Sequence, residues 1–137
     1  MAEEKKTLGF EINPTKYIVY SNFNPKVKRW SDLILRRSDD KDSWLSPMSA
    51  GLNYALAVFE GMKAFRHKSG EIFLFRPRDH AQRFARSMEG LLMPALPPVK
   101  FVDALHLLVK ANAEFVPEYC QGSLYIRPIA WGNDKLG

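Results

Sequence analysis

Tyr125 and Arg127 stand two residues apart in Ser123-Leu-Tyr-Ile-Arg-Pro128, and two residues is the repeat of one strand face. A phenol and a guanidinium fixed side by side on a strand suit the grip of a carboxylate. A surface arginine lying along a neighbouring tyrosine is the plain structural account of the same pair. Arg76, Arg78, Arg83 and Arg86 cluster where a strand hands over to a helix. Arg83 lies two steps of ~100° from Ala81 and so points away from that helix's apolar stripe. There it can hold a phosphate bidentately, provided another element closes over it. The wet face of an amphipathic helix is the plainer account of the cluster. Phe59, Gly61 and Lys63 share a third face, where Gly61 permits close approach of a ligand to the backbone, or marks a bulge. Lys63 would need desolvation to act as a nucleophilic amine.

The elements that must carry these residues follow from periodicity. Residues 1–16 read as a polar arm, and Tyr17–Tyr20 as a strand. Asn22–Pro25 has turn chemistry, a second strand is expected within Ser31–Arg37, and Ser38–Ser43 forms a charged loop. Leu45–Gly51 is expected to be irregular. Val58–Arg66 reads as one strand, with Phe59, Gly61, Lys63 and Phe65 on one face and Val58, Glu60, Met62 and Ala64 on the other. A hairpin through His67–Gly70 returns as Glu71–Phe75.

The period then changes to 3.6. Pro77 opens a helix whose stripe is Ala81, Phe84, Ala85, Met88, Leu91 and Leu92. A second helix is predicted from Phe101 to about Val116, with Phe101, Ala104, Leu105, Leu108 and Phe115 inward. A last strand, Ser123–Trp131, sets Leu124 and Ile126 against Tyr125, Arg127 and Ile129. Without regular β-α-β alternation, the fold class is α+β, an antiparallel-rich sheet backed by helices on one face.

Composition narrows the function. The chain has 137 residues and 20 Lys+Arg against 15 Asp+Glu, a formal net charge of +5. Length fits one domain, and an apolar fraction of 46% supports a core. The longest apolar run, Tyr54–Phe59, is too short for a membrane span, and the first residues lack the apolar stretch of a secretory leader. Cys120 is the single cysteine, which fits a reducing, cytoplasmic home and leaves no disulfide or Cys-based zinc site. His67, His80 and His106 fall on a hairpin and two helices, where solvated or capping roles are expected and no metal is implied. Glycine-rich phosphate loops, His-Glu-x-x-His and Gly-x-Ser-x-Gly are missing from the sequence. Nucleic-acid binding would rest on the modest charge and the arginine cluster alone.

Read together, Val58-Phe-Glu-Gly-Met-Lys-Ala-Phe65, Gly70-Glu-Ile-Phe-Leu-Phe-Arg-Pro77, His80-Ala-Gln-Arg83 with Arg86-Ser87, and Gly122-Ser-Leu-Tyr-Ile-Arg-Pro128 resemble the branched-chain amino-acid aminotransferases. These are class IV, fold type IV pyridoxal-phosphate enzymes. The resemblance runs from about Tyr17 to Gly137 and implies the small, substrate-side domain over 17–137. It implies that Arg83 binds the phosphate of pyridoxal 5′-phosphate. Tyr125 and Arg127 would line the substrate pocket, with Arg127 holding the side-chain carboxylate of glutamate. Phe59 and Gly61 would form the apolar wall for Leu, Ile or Val, and Lys63 would flank it without being the coenzyme-bearing lysine. Tyr54 matches the pocket tyrosine of the family's Leu-His-Tyr-Gly, which here reads Leu52-Asn-Tyr-Ala55.

The resemblance places the coenzyme-bearing lysine in a large downstream domain. The 137 residues are therefore expected to be incomplete, without a catalytic residue of their own and inactive alone. The implied partners are amino acids and 2-oxo acids, with a homodimer for the whole enzyme and neither nucleic acid nor membrane. D-amino-acid aminotransferase and aminodeoxychorismate lyase share the fold, whereas Tyr-Ile-Arg-Pro and Val-Phe-Glu-Gly-Met-Lys favour the branched-chain group. A truncated, non-enzymatic interaction module is the third alternative, and the exposed sheet edge of a missing strand would serve it.

Overall fold

The computed structural model describes residues 13–41 and 45–133. Most of the expected polar arm, part of the charged loop and the last four residues lie outside that range. Strand β1 (Tyr17–Tyr20) pairs antiparallel with β4 (Ile34–Arg37), Tyr17 opposite Arg37 and Tyr20 opposite Ile34. Between them Phe23–Asn24 (β2) and Arg29–Trp30 (β3) form a minimal hairpin, so the turn lies over residues 25–28 rather than 22–25. Trp30 ties this hairpin to the body by donating its indole N–H to Ala95 O at 3.0 Å.

Leu45–Gly51 is not wholly irregular. Ser49 caps a one-turn helix, α1 (Ala50–Asn53), by accepting from the Leu52 N–H. Its buried hydroxyl and the buried Ala50 are short-range features that hydrophobic periodicity does not reveal.

The expected strand over Val58–Arg66 is two strands. β5 (Ala57–Phe59) pairs antiparallel with β9 (Ile129–Trp131), whereas β6 (Met62–Arg66) is the centre of a three-stranded sheet between β7 (Ile72–Leu74) and β8 (Leu124–Ile126). The breaks fall at Glu60–Gly61 on one side and Arg127–Pro128 on the other. They are bridged by the Glu60 N–H donating to Pro128 O at 2.9 Å. The alternation of faces survives the break. Glu60, Met62 and Ala64 are buried, while Phe59, Lys63 and Phe65 are exposed.

Helix α2 (Pro77–Gly90) buries Ala81, Phe84, Ala85 and Met88, as the 3.6 period predicts. It stops before Leu91 and Leu92, which are exposed, Leu92 to 94%. The Leu92 N–H bonds Glu89 O and the Met93 N–H bonds Met88 O, a Schellman closure with Leu92 at φ 56°. Helix α3 (Pro98–Ala111) buries Phe101, Leu105 and Val109, then tightens into a 3₁₀ turn at Ala113–Phe115. That tightening turns Phe115 outward and buries Val116 in its place.

Asn112 explains why the helix ends there. Fully buried, it accepts from the Tyr17 N–H and donates to Tyr17 O and Leu108 O, each at 3.0 Å, clipping β1 to the end of α3. The core lies between the two long helices and the inner sheet face: Met62, Ala64, Phe84, Met88, Phe101, Leu105, Val109 and Ile126. The fold class is α+β with small antiparallel sheets. One sheet face is covered by helices. The other is open and aromatic.

Candidate functional site

On the open face the strands set four of the expected residues in contact. Arg127 donates from Nε and Nη2 to the Tyr125 hydroxyl at 2.9 and 2.6 Å. Its guanidinium carbon lies 4.4 Å from the centre of the Phe59 ring and 5.2 Å from that of Tyr125. Gly61 faces the same hydroxyl so closely that an added Cβ would stand 2.6 Å from Tyr125 Oη. Any side chain there would displace the phenol that orients Arg127.

Lys63 sits directly opposite Tyr125 in the β6–β8 register and is exposed. With Phe65, Phe73, Phe75 and His80 it lines a shallow, open concavity on this face. Tyr54 is exposed at the C-terminal end of α1 and makes none of the hydrogen bonds of the cluster.

Arg83 projects outward from α2 as its helical phase predicts, and it has a partner that the sequence reading did not assign. Its Nε donates to Glu60 Oε2 at 2.7 Å and its Nη2 to Glu60 Oε1 at 2.6 Å. Glu60 also accepts the Gly61 N–H at 3.1 Å, and His80 Nδ1 lies 3.2 Å from Oε2. Burial pushes the Glu60 carboxyl up. The hydrogen bonds from Arg83, the Gly61 N–H and His80 outweigh it and hold the group below the usual glutamate range. The same carboxylate raises the Arg83 guanidinium above its ordinary value. His80 is neither a cap nor a solvated ring. Its side chain is largely buried between Glu60 and Arg83.

Glu60 is the functional candidate that motif reasoning passed over. A signal existed, because an acid occupied an apolar-face position between Val58 and Met62. Nothing local to the strand could say that its counter-charge came from a helix more than twenty residues on. The dipeptide Glu60–Gly61 therefore joins the two halves of the site, Arg83 on one side and the Tyr125–Arg127–Phe59 cluster on the other.

The departures at Asn53 and Ala55 have structural consequences. Asn53 Nδ2 donates to Pro47 O and Ser49 O at 2.6 and 3.0 Å, fastening the loop before α1. Ala55 sits at φ 54°, where a Cβ costs about 1–2 kcal/mol and a glycine costs no such strain. Glycine's extra unfolded-state entropy returns about 0.4–1 kcal/mol of that. Ala55→Gly should therefore stabilise the chain by roughly 0.5–1 kcal/mol. Urea unfolding measures it, and a lowered midpoint would contradict strain at this position.

Among the described residues, no helix is long and apolar enough to cross a membrane, and no three His, Cys, Asp or Glu side chains gather as a metal site. No protein-family model matches the chain. The transaminase htyB of Aspergillus rugulosus is 41% identical over 127 residues, which is 92% of this chain and 33% of that protein. The branched-chain amino acid aminotransferase gloG of Glarea lozoyensis is 47% identical over 127 residues, 92% of this chain and 35% of that protein.

Among solved structures, the branched-chain amino acid aminotransferase from Thermobaculum terrenum, in its PLP-bound holo-form, is similar at a TM-score of 0.61 and 25% identity. That similarity covers 85% of this chain and 33% of that one. The chain spans about a third of the length of the curated relatives it matches. Over that third, it is homologous to the branched-chain amino acid aminotransferases of the class IV transaminases.

Proposed function

We propose that residues 17–137 form the small, substrate-side domain of a branched-chain-amino-acid aminotransferase. The whole enzyme interconverts Leu, Ile or Val and 2-oxoglutarate with the matching 2-oxo acid and glutamate. The observation that carries this reading is the Arg127–Tyr125–Phe59 cluster. A guanidinium lies over an aromatic ring, and its Nε and one Nη are turned to a phenol. Its free N–H groups remain for a carboxylate, while the Phe59 ring offers an apolar wall.

One pocket can thereby take two kinds of side chain. Glutamate presents its distal carboxylate to the charged edge of Arg127. Leucine, isoleucine or valine presents methyl groups to Phe59, while Gly61 lets the Tyr125 phenol close in beside that wall. Lys63 and Tyr54 complete the substrate-facing set as exposed residues.

The fit to pyridoxal 5′-phosphate rests on Arg83. Its guanidinium is directed outward with one edge on Glu60 and the other open, which is a donor set suited to phosphate oxygens. When bound, that cofactor supplies the electron sink for moving an amino group between substrates. The chain's own residues bind and orient. Proton transfer and cofactor attachment belong to the rest of the enzyme, which we take to be a cytoplasmic homodimer.

The 137 residues alone should give no transaminase turnover with leucine, 2-oxoglutarate and added cofactor, whereas the full-length protein should. Robust turnover by the isolated chain would overturn the division of labour proposed here.

A further inference from the structure

We infer that Glu60 is a positioning residue, setting the edge of Arg83 that receives the phosphate; the inference rests on the cofactor reading above. Arg83 has five N–H donors in a rigid planar fork. Nε and Nη2 donate to Glu60 and Nη2 also lies 3.4 Å from His80 Nδ1, which leaves both Nη1 hydrogens on the far edge. The two partners differ sharply in exposure. The Glu60 side chain is 7% exposed and that of Arg83 is 60%. The acid is therefore the anchor and the guanidinium the part presented to solvent.

Glu60 is itself held from several directions. Its own N–H bonds Pro128 O, its Oε1 accepts from the Gly61 N–H, and its Oε2 lies against His80. The two backbone contacts belong to the junction where β5 passes into β6 and β8 into β9, and His80 reaches it from α2. The direction in which Arg83 points is thus coupled to the strand break that also places Gly61 against Tyr125. A free arginine on a helix surface would lose side-chain rotamer entropy to hold one orientation. Here that orientation is already fixed by two short, charge-assisted bonds.

Positioning by Glu60 and simple charge attraction act on phosphate binding with opposite signs. Glu60 is negative, and a phosphate near Arg83 is repelled by it. If only Coulomb's law mattered, neutralising Glu60 would tighten phosphate binding. If Glu60 acts by fixing the fork, neutralising it loosens the guanidinium and weakens phosphate binding.

The experiment compares the dissociation constants of pyridoxal phosphate and of phosphate-free pyridoxal in the full-length protein. It does so for wild type, Glu60→Gln, Arg83→Gln and the double variant. The ratio of the two constants isolates the phosphate contact from the rest of the site and from any general loosening. Glu60→Gln should lower the phosphate preference about tenfold, the equivalent of one charge-assisted hydrogen bond. Arg83→Gln should lower it at least as far, and the double variant should match Arg83→Gln alone, because Glu60 acts through Arg83.

A preference unchanged or increased by Glu60→Gln, with Arg83→Gln still losing it, overturns the role of Glu60 while leaving Arg83 as the phosphate ligand. A preference untouched by Arg83→Gln overturns the cofactor reading itself. Glu60→Asp keeps the charge and retracts the carboxylate by one methylene, so it answers the same question should the glutamine variant fail to fold. It should lower the preference severalfold, and a wild-type ratio contradicts positioning.

Discussion

Replacing Arg127 with alanine should lower kcat/KM for 2-oxoglutarate in the full-length enzyme about a hundredfold, from the loss of two charge-assisted hydrogen bonds worth roughly 1.5 kcal/mol each. Arg127 Nε and Nη2 already donate to Tyr125, and its guanidinium rests on Phe59, so the remaining donors are pre-aimed. The same substitution should cost leucine far less. A branched aliphatic side chain uses the wall and not the charge, and losing the Arg127–Phe59 contact is worth about 0.5–1 kcal/mol, a few-fold in rate. The ratio of the two losses is the informative quantity. Equal losses for the acidic and the apolar substrate would mean that Arg127 supports the pocket generally and does not read the carboxylate.

Phe84→Ala should destabilise the chain by about 3–5 kcal/mol, a large share of the roughly 5–15 kcal/mol that holds a domain folded. Phe84 is buried where α2 meets α3, its ring 5.3 Å from that of Phe101 and packed with Met88 and Leu105 in the core. Truncation there leaves a cavity lined on several sides, which the helices cannot close without breaking their contact with the sheet. Phe65→Ala provides the contrast. Phe65 is 44% exposed on the open face of β6, so the same chemical change should cost under about 1 kcal/mol. Urea denaturation of both variants measures the difference. Comparable losses would contradict the assignment of inner and outer faces.

Several elements were readable from the sequence because their causes are local. The two-residue alternation from Val58 to Phe65 identified the inner and outer faces, and the 3.6 period identified Ala81, Phe84, Ala85 and Met88 as one buried stripe. What escaped had non-local causes. The break at Glu60–Gly61 arises because β5 and β6 find different partners, β9 for one and β7 with β8 for the other. Leu91 and Leu92 continue the apolar spacing beyond the helix, yet the backbone closes at Gly90 and leaves them in solvent. Phe115 fits the helical stripe in phase but belongs to a 3₁₀ turn, so Val116 takes the inner position.

The candidate site divides along the same line. Tyr125 with Arg127 and Phe59 with Gly61 are neighbours on strand faces, so spacing alone grouped each pair. That the two pairs meet depends on strand order. Arg83 was legible as an outward arginine, whereas its pairing with Glu60 and the burial of His80 against that carboxylate required the helix to be docked.

The amino-donor profile of the full-length protein tests the central claim most directly. With 2-oxoglutarate as acceptor and pyridoxal phosphate present, L-leucine, L-isoleucine and L-valine should be the preferred donors, with glutamate formed in equal amount. Preference for D-amino acids, or lyase activity in place of transamination, would contradict it.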